Sequence, residues 1–447
     1  MTDIVGEERA SKGPLNVLRE SFGGVYLEVN QIVTIGVFLA VMVAIMSEKI
    51  HRTAAALAGA MALFSLHILD VKIAVSYIDF NTIGVLVGMM IFVSGVKRSG
   101  LFEYMAIKAA KLAKGDPWKI MVSFMVLTAV LSAFLDNVTT VLLVGPMTIA
   151  ICKVLKLDPV PFLLSQIMSS NIGGTATLIG DPPNIMIGSA AHLSFLDFLS
   201  NTGVVSVAIM VVIVGLFRFL YGKKMTAGEA AIREVMEMDE EKAIEDLTLL
   251  RKSLIMIVMV IAGFMFHGTL GIESSIVALT AATLMMIVGR VNVEHIIVDA
   301  EWGTILFFVG LFIVVGGMVE TGVIKDLAQV LIDFTHGNVV LTMMVLMWGS
   351  AILSSFLDNI PFVATLIPLI LAMGNDGVDT LPLWWAVSLG ACLGGNGTLV
   401  GASANVVLAG ISNKQGYPIT FGSFIKVGMP VMVLSMIVAS AYMLIRY

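Results

Sequence analysis

Apolar residues in this 447-residue chain arrive in long runs, not in the alternation of a half-buried strand or the narrow stripe of a soluble helix. Runs near the 20 residues a helix needs to cross a bilayer fall at about 29–47, 53–69, 81–97, 203–221, 252–268, 274–289, 302–319 and 424–445. Two more stretches, 160–190 and 382–412, are interrupted by Gly-rich segments. The pattern predicts ten crossings and lacks the weak dyad signal of an outer-membrane barrel. Two further apolar pairs, 120–135 with 138–152 and 339–357 with 360–373, are joined by nothing except Asp136-Asn137 and Asp358-Asn359. Full spans normally turn through a polar loop at headgroup level, so a dipeptide joint predicts a re-entrant hairpin whose tip stops inside the membrane. Two tightly joined full spans are the alternative, and either returns the chain to the side it left.

The two halves repeat. FNTIGVLVGMMIFVSG (80–95) aligns with WGTILFFVGLFIVVGG (302–317), and AFLDNVTTVLLVGP (133–146) with SFLDNIPFVATLIP (355–368), both at an offset of 222. GGTATLIGDPPN (173–184) aligns with GGNGTLVGASAN (394–405) at 221. Five crossings per half is an odd number, so the second half inserts upside down. The predicted fold class is an all-α polytopic membrane protein: inverted repeats of five transmembrane helices each, with two re-entrant hairpins and two broken helices. The predicted organisation is an N-terminal tail (1–28), a first repeat (29–221), a charged linker (222–251) and a second, inverted repeat (252–447). The linker, the one long charged stretch, reads as a partly helical, solvated connector. Residues 101–114, apolar at helical spacing with lysines opposite, read as an interfacial helix.

Composition supports the membrane reading and adds orientation. Hydrophobic residues make up 58% and charged residues 13% of the chain, about half the charged share of an ordinary soluble domain. The net charge of −6 sits in loops and identifies no partner, and no nucleic acid is expected. Of the 26 Lys and Arg, 20 lie in the loops on the linker's side. The positive-inside rule makes that side cytoplasmic and both termini external. Residues 1–28 mix acids and bases before a long apolar run, unlike a cleaved signal peptide. Cys152 and Cys392 lie in apolar segments without CxxC or Cys/His spacing, so neither a disulfide framework nor a metal site is indicated.

An acid inside an apolar hairpin is costly unless paired, hydrated or protonated, so intramembrane carboxylates are functional candidates. Asp136 and Asp358 occupy equivalent tips, each beside an Asn (Asn137, Asn359) whose amide both donates and accepts. A hairpin tip also presents one arm's carbonyl end and the next arm's N–H end, so it can hold ions of either sign; plain helix capping is the alternative, and the two are compatible. In GGTATLIGDPPN the glycines and Pro182-Pro183 break the span. Inverted repeats with interrupted helices point to a transporter site at the breaks. The first break offers Thr175, Thr177, Asp181 and Asn184; the second offers Asn396, Thr398, Ser403 and Asn405. The halves differ: Asp181 aligns with Ala402, and Thr139 and Thr140 align with Pro361 and Phe362. The first hairpin is therefore expected to make more substrate or ion contacts, with Asp136 as the proton-linked carboxylate and Asp358 in coupling or scaffolding. His67 and His267 read as interfacial. No nucleophile–base or phosphate-loop pattern suggests an enzyme.

FLDNVTTVLLVGPMTIAICKVLKLDP (134–159) and NIGGTATLIGDPPN (171–184) resemble the arsenite/antimonite efflux and P-protein (citrate-transporter-like) branch of the ion transporter superfamily. The resemblance covers nearly the whole chain. It implies a scaffold part and a moving transport part with elevator-type alternating access, a homodimer, and ions or substrate held at the hairpin tips and helix breaks. Carried over, those positions are Asp136, Asn137, Thr139, Thr140, Thr175, Thr177, Asp181, Asn184, Asp358, Asn359, Asn396, Thr398 and Asn405. The expected function is proton-coupled efflux of arsenite or antimonite across the inner membrane. A sodium/proton antiporter, a sodium-coupled anion transporter and a P-protein-like anion channel stay open. No cofactor is implied beyond a coupling ion, H+ or Na+, the latter at Asp136, Asn137, Asp358 and Asn359. Arsenite pumps also couple to a soluble ATPase subunit, and the linker could dock one.

Overall fold

The computed structural model describes residues 20–22, 25–47, 49–290 and 292–447. Apart from an antiparallel ribbon pairing Glu20–Phe22 with Val25–Leu27, the described chain is helical. Among the described residues nine helices are long and apolar enough to cross a membrane, including both arms of the first hairpin. Arg52–Ser65 and Ser274–Gly289 are shorter, at 14 and 16 residues. Asp79, Asp116, Asp246 and Asn338 each accept backbone N–H bonds at a helix start, so the capping residues fix where the spans begin. Val204, Val207 and Val211 are 56–68% exposed along one helix face, and Ile255 and Val258 along another. In water such stripes would be costly; against lipid tails they are at home.

The chain forms two compact units: residues 1–78 with 306–327, and residues 79–305 with 328–447. These are not the sequence halves, because each half contributes helices to both. In the smaller unit Trp302–Glu320 packs on Arg52–Ser65, where a Cβ at Gly310 would lie 2.8 Å from the Ala56 carbonyl carbon. The Tyr77 hydroxyl donates to Glu320 at 2.9 Å. In the larger unit Phe80–Lys97 packs on Ser274–Gly289, where a Cβ at Gly88 would lie 2.5 Å from the Ala278 carbonyl carbon. There Arg98 donates to Asp299 at 3.0 Å. Gly310, Ala56, Glu320 and Tyr77 stand at the repeat offset of 222 from Gly88, Ala278, Arg98 and Asp299. The same two contacts therefore occur twice, each time joining one half to the other.

The linker is mostly exposed, and it is also held to the larger unit at a few points. Its helix Glu229–Glu237 buries Ala231 and Val235, four residues apart on one face. Ile232 lies so close to Gly115 that a Cβ there would be 2.7 Å away. Lys111 donates to Glu240 and to the Met238 carbonyl, and the Glu245 N–H reaches the Ser99 carbonyl at 3.2 Å. The Lys111 ammonium holds the Glu240 carboxyl below the usual carboxylate range. A few apolar side chains among many charges sufficed to dock the segment, and charge content concealed them. The helix beneath it, Leu101–Leu112, buries Leu101, Phe102, Ala106, Ile107 and Ala110, so its apolar face meets protein.

Because Gly88 touches the Ala278 backbone, Gly88→Val should cost about 1–3 kcal/mol by overpacking and lower the thermal midpoint in detergent. Gly36→Val, with nothing within 4 Å, should leave it unchanged; equal midpoints for both variants would contradict the packing described.

Candidate transport site

Each hairpin is two helices joined by two residues, both extended in the first hairpin and the leading one, Leu357, extended in the second. Pro117–Phe134 ends at Leu135 (φ −118°) and Asn137–Leu155 begins after Asp136, whose carboxylate accepts the Thr139 N–H at 2.8 Å. Val339–Phe356 ends at Leu357 (φ −122°) and Asn359–Asn375 begins after Asp358, which accepts the Ile360 N–H at 3.2 Å and the Ser403 hydroxyl at 3.1 Å. Both acids thus act as caps, and Asp358 also ties its tip to the second break through Ser403.

The broken helices are Val160–Thr175 with Pro182–Ala191, and Leu381–Gly394 with Ser403–Lys414. The breaks strand carbonyls that a continuous helix would satisfy. Asparagine amides collect them. Asn184 Nδ2 donates to the carbonyls of Gly174 (3.2 Å), Thr175 (3.3 Å) and Thr177 (2.9 Å). Asn405 Nδ2 donates to those of Gly395 (2.7 Å) and Thr398 (3.0 Å).

Each hairpin tip docks on the break of its own half. Ser132 donates to the Ser170 carbonyl at 2.7 Å and Ser354 to that of Ala391 at 2.6 Å. The Thr177 hydroxyl bonds the Ala133 carbonyl, and Thr398 that of Ser355. A Cβ at Gly180 would lie 2.6 Å from the Gly174 oxygen and 2.8 Å from that of Ser132. At Gly401 it would lie 2.9 Å from those of Gly395 and Ser354. Both motifs need glycine there because backbone meets backbone. The tips are therefore level with the breaks, part-way along the broken helices.

Across the halves the symmetry fails, and the failure concentrates on one acid. Asp181 is 3% exposed, at the start of Pro182–Ala191. Asn359 Nδ2 donates to its two oxygens at 3.3 and 3.5 Å, and Asn137, Cys392 and Asp358 also act on it. Beside it Asn184 Oδ1 accepts from the Ser388 hydroxyl at 2.7 Å and the Cys392 thiol at 3.5 Å. On the other side Asn171 Nδ2 donates to Asn396 Oδ1 (2.9 Å) and Asn405 Oδ1 (3.1 Å), while its Oδ1 faces Asn137 Nδ2 at 3.4 Å. Asn171 and Cys392 are equivalent at the repeat offset of 221. Each reaches the break asparagine of the opposite half, one through an amide and the other through a thiol.

The structure thus brings Asn137, Asp181, Asn184, Asp358, Asn359, Asn396, Ser403 and Asn405 into one connected polar cluster, with Thr177 and Thr398 holding the tips. Asp136 stays at the first tip as a partly buried cap. Thr139 turns toward a different cavity, the Thr140 hydroxyl is buried without a partner, and Thr175 donates to the carbonyl of Asn171 in its own helix. Sequence reasoning missed Asn171, Ser132, Ser388 and Cys392. A signal existed for the first: Ser165, Gln166, Ser169, Ser170 and Asn171 make a polar run inside a buried span. His267 is buried, with Nε2 accepting the Phe195 N–H at 3.3 Å and Nδ1 facing the Ile272 carbonyl, a structural role.

A multi-span helical fold with buried amides and carboxylates gathered where two helices break is that of a membrane transporter, and comparison with known proteins agrees. Residues 42–390 match the citrate transporter (CitMHS) family model, and the chain belongs to that family. It is 41% identical to an uncharacterized transporter of Mycobacterium bovis, over 93% of this chain and 98% of that one. It is 33% identical to the P protein of Mus musculus, over 96% of this chain and 62% of the P protein. The YdaH transporter of Alcanivorax borkumensis shares the fold at TM-score 0.59 and 13% identity, covering 93% of this chain and 97% of that one.

Asn184→Ala removes the donor serving three stranded carbonyls. Buried polar groups left unpaired cost about 1–3 kcal/mol each, so the variant should show a clearly lower melting temperature in detergent. Ser388→Ala, which removes one donor to Asn184, should cost less; the reverse ranking would mean the amide does not hold the break.

Proposed function

We propose that this chain is a proton-coupled secondary transporter that exports a small uncharged polyhydroxylated solute, arsenite or antimonite in its trihydroxide form, with Asp181 as the proton-carrying group. One observation carries the reading. Four helices begin at the cluster, at Asn137, Pro182, Asn359 and Ser403. Helix N-termini attract anions, yet three of the four already have their own carboxylate at the cap: Asp136, Asp181 and Asp358. The fourth has Ala402. Among the described residues, the side chains hydrogen-bonded within the cluster are amides, hydroxyls, a thiol and carboxylates. A polyanion such as citrate would meet like charges, whereas a neutral hydroxylated solute finds amide, hydroxyl and carboxylate partners and a proton finds a buried carboxylate. Asp181 replaces Asp136 as the expected coupling group because Asp136 is part-exposed and engaged in capping.

Sodium/proton antiport is the second reading, favoured by Asp358 standing next in the chain to Asn359, whose amide donates to Asp181, which sets two carboxylates where one cation could be shared. Either reading fits elevator-type alternating access in a homodimer in the inner membrane, with the linker in the cytoplasm. Break-level tips suit re-entrant hairpins.

In everted vesicles under an imposed pH gradient, arsenite uptake should follow the gradient while citrate uptake should not. Asp181→Asn should remove most of the gradient-driven uptake, and Asp136→Asn should lower it by less. Gradient-independent arsenite movement in the native protein would sink proton coupling; sodium-dependent proton flux without arsenite movement would favour the second reading.

A further inference from the structure

A cavity of about 410 Å³ within the larger unit is lined by none of the residues of the Asp181 cluster. Phe80–Lys97 gives one wall, with Ser94, Lys97 and Arg98; the second arm of the first hairpin gives another, with Thr139, Leu142 and Leu143. The rim is acidic: Glu103 on Leu101–Leu112, Glu245 of the linker, and Asp299 and Glu301 after the Ser274–Gly289 helix. Four carboxylates therefore face two bases. One base is already engaged, since Arg98 pairs with Asp299, to which the Ser94 hydroxyl also donates at 2.8 Å. That pairing holds the Asp299 carboxyl below the usual carboxylate range. Glu103 carries a buried oxygen that accepts no hydrogen bond. The inner end reaches Thr139, whose backbone N–H caps onto Asp136, so the cavity opens beside the first hairpin tip.

We propose that this cavity is the vestibule by which solutes reach the first hairpin tip from the linker's side, and that its acidic rim, to which the linker contributes, admits cations and neutral solutes while turning anions away. The proposal deepens the transport reading and rests on it for where the vestibule leads. A cleft whose lining carries an excess of one sign of charge, here four carboxylates against two bases, concentrates the opposite charge and speeds its arrival. The linker is then part of the permeation path, and Glu245 is a specificity residue that touches no transport-site group.

The test needs no transport substrate. Leu142→Cys is placed in vesicles of both orientations and labelled with membrane-impermeant methanethiosulfonates, one a trimethylammonium cation and one a sulfonate anion, each rate normalised to reaction with a free thiol. Cys152 and Cys392 are buried, and the unmodified chain gives the background. The cationic reagent applied at the linker face should react roughly tenfold faster than the anionic one, and Glu245→Gln with Glu301→Gln should bring the ratio toward one. Met90→Cys, on the facing wall, serves as the second position if Leu142→Cys does not fold. Labelling only from the opposite face, equal or reversed rates in the native background, or no labelling at either position in a folded protein would overturn the proposal. Cation-selective labelling in a protein that moves no arsenite would uphold the vestibule while removing the substrate reading.

Discussion

Inside a bilayer a peptide carbonyl without a donor has no water to turn to, and this chain places two helix breaks where that difficulty is greatest. Asn184 and Asn405 resolve it by carrying the stranded carbonyls on their amides. Everything else at the site follows. The breaks are rigid enough for hairpin tips to dock against them through serine and threonine hydroxyls, and the asparagine oxygens left over become the acceptors through which the halves recognise one another. The site is thus a by-product of keeping broken backbone satisfied.

That origin explains why its polar groups are mostly amides. An amide both donates and accepts without carrying charge, so a network of them can be buried at modest cost and can re-pair when a solute enters. Charge is confined to the helix starts, where the N–H ends of the helices offset it. The single departure from symmetry in those caps, Asp181 against Ala402, sets the character of the whole cluster. It puts a buried carboxylate in the first half facing Asn359 of the second, where the second half has only the Ala402 methyl at the matching position.

Much of this was legible in the chain. The 222-residue offset located both hairpins, both breaks and the pairs of asparagines, because duplicated motifs stand out against apolar spans. What was not legible depended on long-range contact. The burial of Asp181 was hidden because it sits among residues that read as a turn, and its partner Asn359 is 178 positions away. Asn171 was masked in the same way, as one polar residue in a helix whose partners Asn396 and Asn405 lie in the other half. The linker's docking points were hidden differently, since its charges dominated its composition and Ala231, Ile232 and Val235 were too few to register.

The exchanged glycine contacts bear on how the protein is made. Gly88 needs Ala278, 190 residues further along the chain, and translation proceeds at about 5–20 residues per second. For roughly 10–40 seconds, then, the Phe80–Lys97 helix sits in the bilayer with a bare notch along its side. Neither half closes its own packing, so neither is an autonomous folding unit. Biogenesis must keep an unfinished first half from pairing with a stranger until its own complement emerges from the ribosome.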